Sequence, residues 1–237
     1  MKIRNYRPAP VFICFFISAL LFMGFTPQSR ADSKRIITDM AGRRITIDGD
    51  VNRIVTSFKP STLCVLSLGF QDKLVGVDTS SRRDKLNLSV FPGMADLPGV
   101  GSKSMGLNYE SIMSLSPDLI ILYAQKDGKQ LAKQFEKINI PAIIVLPENF
   151  AGIKKSLQII AMAVGEPERS LILEKAMDSV MGIVEKRVSA IPENRKKTAY
   201  FASPRGLFST ATGNMLQDEM FIKAGLINVA HDLRGYF

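Results

Sequence analysis

The sequence predicts an α/β fold, with one complete α/β unit, a long joining helix and the beginning of a second unit. Three observations carry that prediction. Strand-like and helix-like patterns alternate about four times between residues 53 and 165, as successive strand–helix–strand crossovers of a parallel sheet require. Leu119-Ile-Ile-Leu-Tyr123 is apolar without alternation, as in a strand covered on both faces. Residues 166–191 then hold a helical period over about 25 positions, roughly 37 Å at 1.5 Å per residue and longer than a small domain needs. Its apolar residues span too few heptads for a coiled coil, so it reads as a strut between two units.

The elements follow in order. Residues 1–31 read as a secretory signal. Lys2, Arg4 and Arg7 form a charged start, and Val11 to Phe25 is an apolar run short for a membrane span, with an uncleaved membrane anchor as the alternative. Ser29-Arg30-Ala31 ends it with small residues at the two positions a signal peptidase inspects. Residues 35–47 alternate around Ala41-Gly42, a β-hairpin pattern. Arg53-Ile-Val-Thr-Ser57 is a short buried strand, and Pro60-Ser61 opens a helix closed by Gly69. Leu74–Asp78 is a strand. Leu107–Leu115 is a helix with Asn108 as N-cap, broken by Ser116-Pro117-Asp118. Lys129–Lys137 is a helix, Ile143–Leu146 a strand, and Phe150–Val164 a helix ending at Gly165.

In the strut, Glu166 and Glu168 suit the positive end of the helix, Lys186 and Arg187 its far end, and Pro192 stops it. The expected buried stripe is Leu171, Leu173, Ala176, Val180, Ile183, Val184, Val188 and Ile191. Lys197–Ala202 follows as a strand, Ser203–Ser209 as a loop and Met215–Ala224 as a helix closed by Gly225. One strand and one helix do not bury a core of their own, which takes on the order of 100 residues. This part is expected either to pack on the first unit or to be the start of a longer lobe.

Composition narrows the function classes. The chain has 237 residues, 46% of them hydrophobic, and a formal net charge of +9. Four of its cations lie in the signal segment, which leaves 27 basic against 22 acidic residues. The cations are scattered, with no basic stripe interleaved with aromatics, so no nucleic-acid partner is expected. After cleavage near Ala31 only Cys64 remains, and no internal disulfide is possible. That combination fits a bacterial periplasm. Cys64 stands among Leu63, Val65, Leu66 and Leu68 as a buried small hydrophobe.

Catalytic and metal patterns are scarce. His231 is the single histidine, there is no Gly-x-Ser-x-Gly, and a histidine-rich zinc site cannot be assembled. Pro98-Gly-Val-Gly-Ser-Lys-Ser104 does not fit the phosphate-loop frame and reads as a glycine turn. Without Gly-x-Gly-x-x-Gly after a first strand, an exported dinucleotide oxidoreductase is disfavoured. What remains are loops at the carboxyl ends of the strands, where α/β sheets bind ligands. They are Ser57–Pro60, Asp78–Arg82, Val100–Ser102, Tyr123–Gln125 and Ser203–Arg205. Together they offer hydroxyls, rings and cations, a mixture suited to an anionic organic ligand or chelate.

Short motifs in a fixed order then point to a family. Thr38-Asp39-x-x-Gly42-Arg43 precedes Arg53-Ile54-Val55. Leu68-Gly69-x-x-Asp72-x-Leu74-Val75-Gly76-Val77 follows. Next come Pro98-x-Val100-Gly101, Asn108-x-Glu110 and Ser116-Pro117-Asp118-Leu119-Ile120, and last Ala224-Gly225-x-x-Asn228. From about residue 35 to 237 the chain resembles the periplasmic substrate-binding proteins of ABC importers that handle ferric siderophores, haem and cobalamin. The resemblance implies two Rossmann-like lobes with parallel sheets joined by one long helix, with small hinge motion. The lobes are an N-terminal one over 32–165, the interlobe helix over 166–191, and a C-terminal one begun over 192–237 and continuing beyond Phe237. It implies a monomer that holds an iron complex or corrinoid between the lobes and docks on an inner-membrane ABC permease through a glutamate on each lobe, with no cofactor and no enzymatic activity. Glu110 matches the first docking glutamate. The expected ligand residues are Phe58, Lys59, Ser80, Arg82, Ser102, Tyr123, Arg205, Arg234 and Tyr236. The arginines would face carboxylates or catecholates, and the tyrosines would cover a flat macrocycle. A ferric siderophore is the favoured ligand. An exported ligand-sensing ectodomain and a non-functional fragment of such a protein are the alternatives.

Overall fold

A computed structural model describes residues 34–102, 106–124, 127–203, 206, 209–213 and 215–233. The signal segment, Arg205, Arg234 and Tyr236 lie outside these residues.

Four parallel strands form the main sheet. They are β3 (Ile54–Thr56), β4 (Leu74–Gly76), β7 (Leu119–Tyr123) and β8 (Ala142–Val145), in the order β4-β3-β7-β8. Successive side chains on a strand point to opposite faces, and here both faces are covered. Ile54, Leu119, Ile121, Ile143 and Val145 pack into one cluster with helices α1 (Lys59–Ser67) and α5 (Phe150–Val164). Val55, Ile120, Leu122, Ala142 and Ile144 pack into the other with α3 (Tyr109–Ser114) and α4 (Gly128–Glu136). Every residue of Leu119–Leu122 is fully buried, which is why that run carries no alternation.

The hairpin β1 (Arg35–Thr38) and β2 (Arg44–Ile47) pairs in antiparallel register and protects the edge of the sheet. Its turn sits on β8. Met40 donates its backbone N–H to Ile144 at 3.0 Å, and the Ile144 N–H donates to the Asp39 carboxylate at 3.0 Å. Local chemistry fixes the helix ends. Asn108 Oδ1 accepts from the Ser111 N–H at 2.9 Å, Asn149 Oδ1 accepts from Gly152, and Gly165 closes α5 in the left-handed region at φ 91°.

Three features depart from the sequence reading. Leu107 belongs to a two-residue strand, β6 (Gly106–Leu107), paired with β5 (Gly101–Ser102), so α3 starts two residues later than its apolar period implies. A short helix α2 (Lys85–Val90), capped by Asp84 on the Leu86 and Asn87 N–H groups, occupies a stretch with little periodicity. Leu226–Asn228 is a strand, β10, parallel to β9 (Lys197–Ala199), so this part of the chain holds two strands beside helix α7 (Leu216–Lys223).

The long helix α6 (Glu168–Val188) is present, but its seam is rotated from the expected stripe. The less exposed positions are Ser170, Leu173, Glu174, Met177, Met181, Val184 and Val188, at three- and four-residue steps. Leu173, Val184 and Val188 of the expected stripe are thus among them, while Leu171, Ala176, Val180, Ile183 and Ile191 are exposed. Apolar spacing alone admitted either phase. Polar contacts to α5 favour this one, with Gln158 donating to Glu174 at 3.0 Å and Lys154 paired to Asp178. Among the described residues no helix is long and apolar enough to cross a membrane.

Candidate functional site

In the order β4-β3-β7-β8, the chain passes from β3 outward to β4 and then returns to the other side of β3 as β7. Ligands of open α/β sheets bind where such an order reverses, at the carboxyl ends of the strands. Phe58 follows β3 and Tyr123 ends β7. Their rings meet at this point, with centroids 4.3 Å apart and planes tilted by 40°. Two cavities adjoin the ring pair. One, of about 260 Å³, is lined by Ser57, Phe58, Ser102, Leu107, Tyr123 and Asp127 among others. The second, of about 220 Å³, is lined by Phe58, Lys59, Pro60, Asp78, Ser80, Tyr123 and Glu148. They share the two rings as lining, and the pair of cavities is called the trough.

The trough's floor is a polar network. The Asp78 side chain accepts from the N–H groups of Ser80 (3.0 Å) and Ser81 (3.1 Å) and from both of their hydroxyls. The Ser81 hydroxyl oxygen also lies 3.1 Å from Thr62 Oγ1, and the Thr62 and Thr56 hydroxyls bond at 2.7 Å. A buried polar chain with this much satisfaction holds its loop rigidly. Lys59 is engaged elsewhere. Its ammonium lies 2.9 Å from Asp84. That hydrogen bond is the largest of the effects that hold the Asp84 carboxyl below its ordinary value, followed by the backbone N–H of Asn87.

Five of the expected ligand residues therefore meet at the trough: Phe58, Lys59, Ser80, Ser102 and Tyr123. Arg82 is not among the lining residues. Its guanidinium donates to the Ala95 carbonyl at 2.9 Å and ties one loop to another. Arg205, Arg234 and Tyr236 lie outside the described residues. Asp78, which opens one of the candidate loops, lines the trough too, and Asp127 and Glu148 line it without having been singled out. Glu148 stands in the loop after β8, so the rule that selected the other loops reaches it as well. Glu110 is exposed in the first turn of α3, three residues beyond Leu107 of the trough wall.

A larger cavity, about 470 Å³, opens at the opposite end of the sheet, beside β2 and the loops that enter β7 and β8. Two of its carboxylates are committed to the fold. Asp118 accepts from the Asn52 and Arg53 N–H groups at 2.9 Å each, and Glu136 pairs with Arg43 at 2.6 Å. Among the described residues no group of three or more His, Cys, Asp or Glu side chains is placed to hold a metal ion. Cys64 is buried, and burial pushes its thiol from 9.0 up to about 12.

A cavity at the switch point of a parallel sheet, lined by rings and hydroxyls, is where open α/β folds hold small ligands. The chain belongs to the periplasmic binding protein family, which it matches over residues 54–237. It is 24% identical to an uncharacterised ABC transporter substrate-binding lipoprotein, YvrC, of Bacillus subtilis, across 97% of this chain and 75% of that protein. It is 24% identical to the vitamin B12-binding protein of Yersinia pestis, across 90% of this chain and 70% of that one. The molybdate-binding protein MolA of Haemophilus influenzae is 24% identical across 83% of this chain and 61% of its own length. The molybdate-bound structure of MolA superimposes with a TM-score of 0.73 at 20% identity, across 86% of this chain and 68% of that one. The fold is thus shared, while the chain spans only part of each relative's length. These relatives are named for binding and transport rather than for catalysis.

Proposed function

We propose that the protein is the periplasmic solute-binding component of an ABC importer. It captures a small organic complex, with a ferric siderophore favoured and haem or cobalamin next, and delivers it to an inner-membrane permease. The observation that carries this reading is the Phe58–Tyr123 ring pair at the carboxyl ends of β3 and β7. Two rings give a flat or apolar ligand surface something to cover, which a small inorganic oxyanion does not need. Ser80 and Ser102 supply hydroxyls, and Lys59 supplies a cation already shared with Asp84. Arg205, Arg234 and Tyr236, which lie outside the described residues, are the further ligand residues of this reading. In this reading residues 32–165 are the first lobe, 166–191 the joining helix and 192–237 the start of the second lobe. The protein acts as a monomer after cleavage near Ala31, and Glu110 docks the permease.

Thermal melts of residues 32–237 test it, alone and with ferrioxamine B, haemin, cyanocobalamin and molybdate. Ligand at 100 times its dissociation constant adds about 2.7 kcal/mol of stability. A melt raised by one of the three organic complexes supports the reading and selects the class. A shift by molybdate alone overturns the organic-complex reading, and a cooperative melt that none of the four moves overturns the ligand class altogether.

A further inference from the structure

Helix α5 begins at Phe150, two residues after Glu148 of the trough wall. Its first N–H groups have no partner within the helix. Asn149 satisfies that of Gly152 locally. The N–H of Phe150 instead donates to Glu219 Oε2 at 2.8 Å, across 69 residues of sequence. Glu219 stands in the first turn of α7, a helix that lines neither cavity. One turn further on, Lys223 lies 5.8 Å above the Phe150 ring and 3.4 Å from Glu185 of α6. A carboxylate at a helix N-terminus satisfies an orphan donor and complements the helix dipole at once. Phe150 is thus clasped by α7 at both its backbone and its ring.

We infer that Glu219 is a positioning residue of the ligand trough. Its carboxylate fixes the start of α5, and with it the Glu148 wall, to the part of the chain that follows the long helix. Ligand retention then depends on a residue that does not touch the ligand. The inference rests on the reading of the trough as the ligand site.

Two substitutions remove the same bond from opposite ends. Glu219→Ala removes the acceptor. Phe150→Pro removes the donor and the ring. Proline suits the first position of a helix, and Asn149 is already extended at φ −151° and ψ 174°, as the residue before a proline must be. Glu219→Gln keeps an acceptor oxygen and serves as the conservative control. In the ligand-free protein, amide exchange at Phe150 should quicken about tenfold in Glu219→Ala and recover in Glu219→Gln, while Ile144 and Val145 of β8 stay unchanged. The dissociation rate of whichever of ferrioxamine B, haemin and cyanocobalamin binds should rise about tenfold in Glu219→Ala and in Phe150→Pro, and no further in the double variant. Equal exchange of the Phe150 amide in wild type and Glu219→Ala would show that the bond does not hold α5 and would overturn the inference. Faster exchange with an unchanged dissociation rate would reduce Glu219 to a helix cap and overturn it equally. Should none of the three probes bind, the ligand reading is what fails, and the exchange rates alone decide whether Glu219 holds α5.

Discussion

Asp39 carries more of the fold than any other single carboxylate among the described residues. Its buried side chain accepts from the N–H groups of Ala41 and Arg43, from two nitrogens of the Arg43 guanidinium and from the Ile144 N–H. Hairpin turn, arginine and edge strand are joined through one group. Arg43 depends on it in turn, because its side chain is only 17% exposed and it also donates to Glu136 and the Ala142 carbonyl. Removing Asp39 leaves three backbone N–H groups without their acceptor and Arg43 with Glu136 as its remaining carboxylate partner. Asp39→Ala should therefore cost on the order of 3 kcal/mol in urea unfolding. A loss under about 1 kcal/mol would mean the hairpin is not docked as described. Cys64 gives a pH dependence whose sign is fixed. Its folded thiol titrates near 12 and its unfolded thiol near 9.0, so between those values the unfolded chain holds fewer protons. This contribution is complete below pH 9 and is lost progressively as pH rises toward 12. Melts of wild type and Cys64→Val should diverge as pH rises above about 9, with wild type losing more stability. Native Cys64 should also resist a thiol reagent at pH 8 until the protein unfolds.

At the scale of elements, glycines separate the part of the structure that tolerates change from the part that does not. Gly128 opens α4 directly under the end of β7. A Cβ there would stand 2.0 Å from the Tyr123 carbonyl oxygen. Gly128→Ala must push α4 or Tyr123 aside, and Tyr123 is half of the ring pair. The substitution should cost about 1–3 kcal/mol in a melt and weaken ligand binding together with it. Gly182, inside α6, has nothing within 4 Å of its notional Cβ. Gly182→Ala should instead raise stability by about 0.5–1 kcal/mol, because glycine in a helix interior is conformationally expensive. The same contrast explains what was legible. Leu119–Leu122 read correctly as a doubly covered strand because its burial leaves a direct mark on composition. Phe150–Val164 read correctly, with Gly165 marking its end, although the Asn149 cap at its start went unread. The phase of α6 was legible only in part, since Leu173, Val184 and Val188 of the expected stripe lie on the less exposed side while Leu171, Val180 and Ile183 do not, and Met177 and Met181 take their place. The choice lies in partners on α5. Helix α2 escaped notice because a single Asp84 cap makes it, rather than a periodic face.

At the scale of the molecule, the sequence showed where candidate residues gather better than how each is oriented. The rule that α/β sheets bind at strand carboxyl ends selected Phe58, Lys59, Ser80, Ser102 and Tyr123 correctly as neighbours. It could not tell that Arg82 turns away to the Ala95 carbonyl, because orientation within a loop depends on what the next loop offers. The trough and Glu110 stand at related places in the chain. β6 supplies Leu107 to the trough wall, Asn108 caps α3, and Glu110 projects from its first turn. A carboxylate there is exposed, has favourable helix-dipole surroundings and bears no load in the core. Such a residue can meet a partner's cation without disturbing the ligand. Glu110→Ala in the full-length protein should leave the ligand-induced melt shift unchanged. It should lower uptake about tenfold in cells that carry the cognate permease, and Glu110→Asp should restore part of it. Unaltered uptake, with the variant present at wild-type level, would remove Glu110 from the docking surface. Loss of the melt shift would show instead that Glu110 acts on the trough through α3, and that docking and ligand capture are not separable on this lobe.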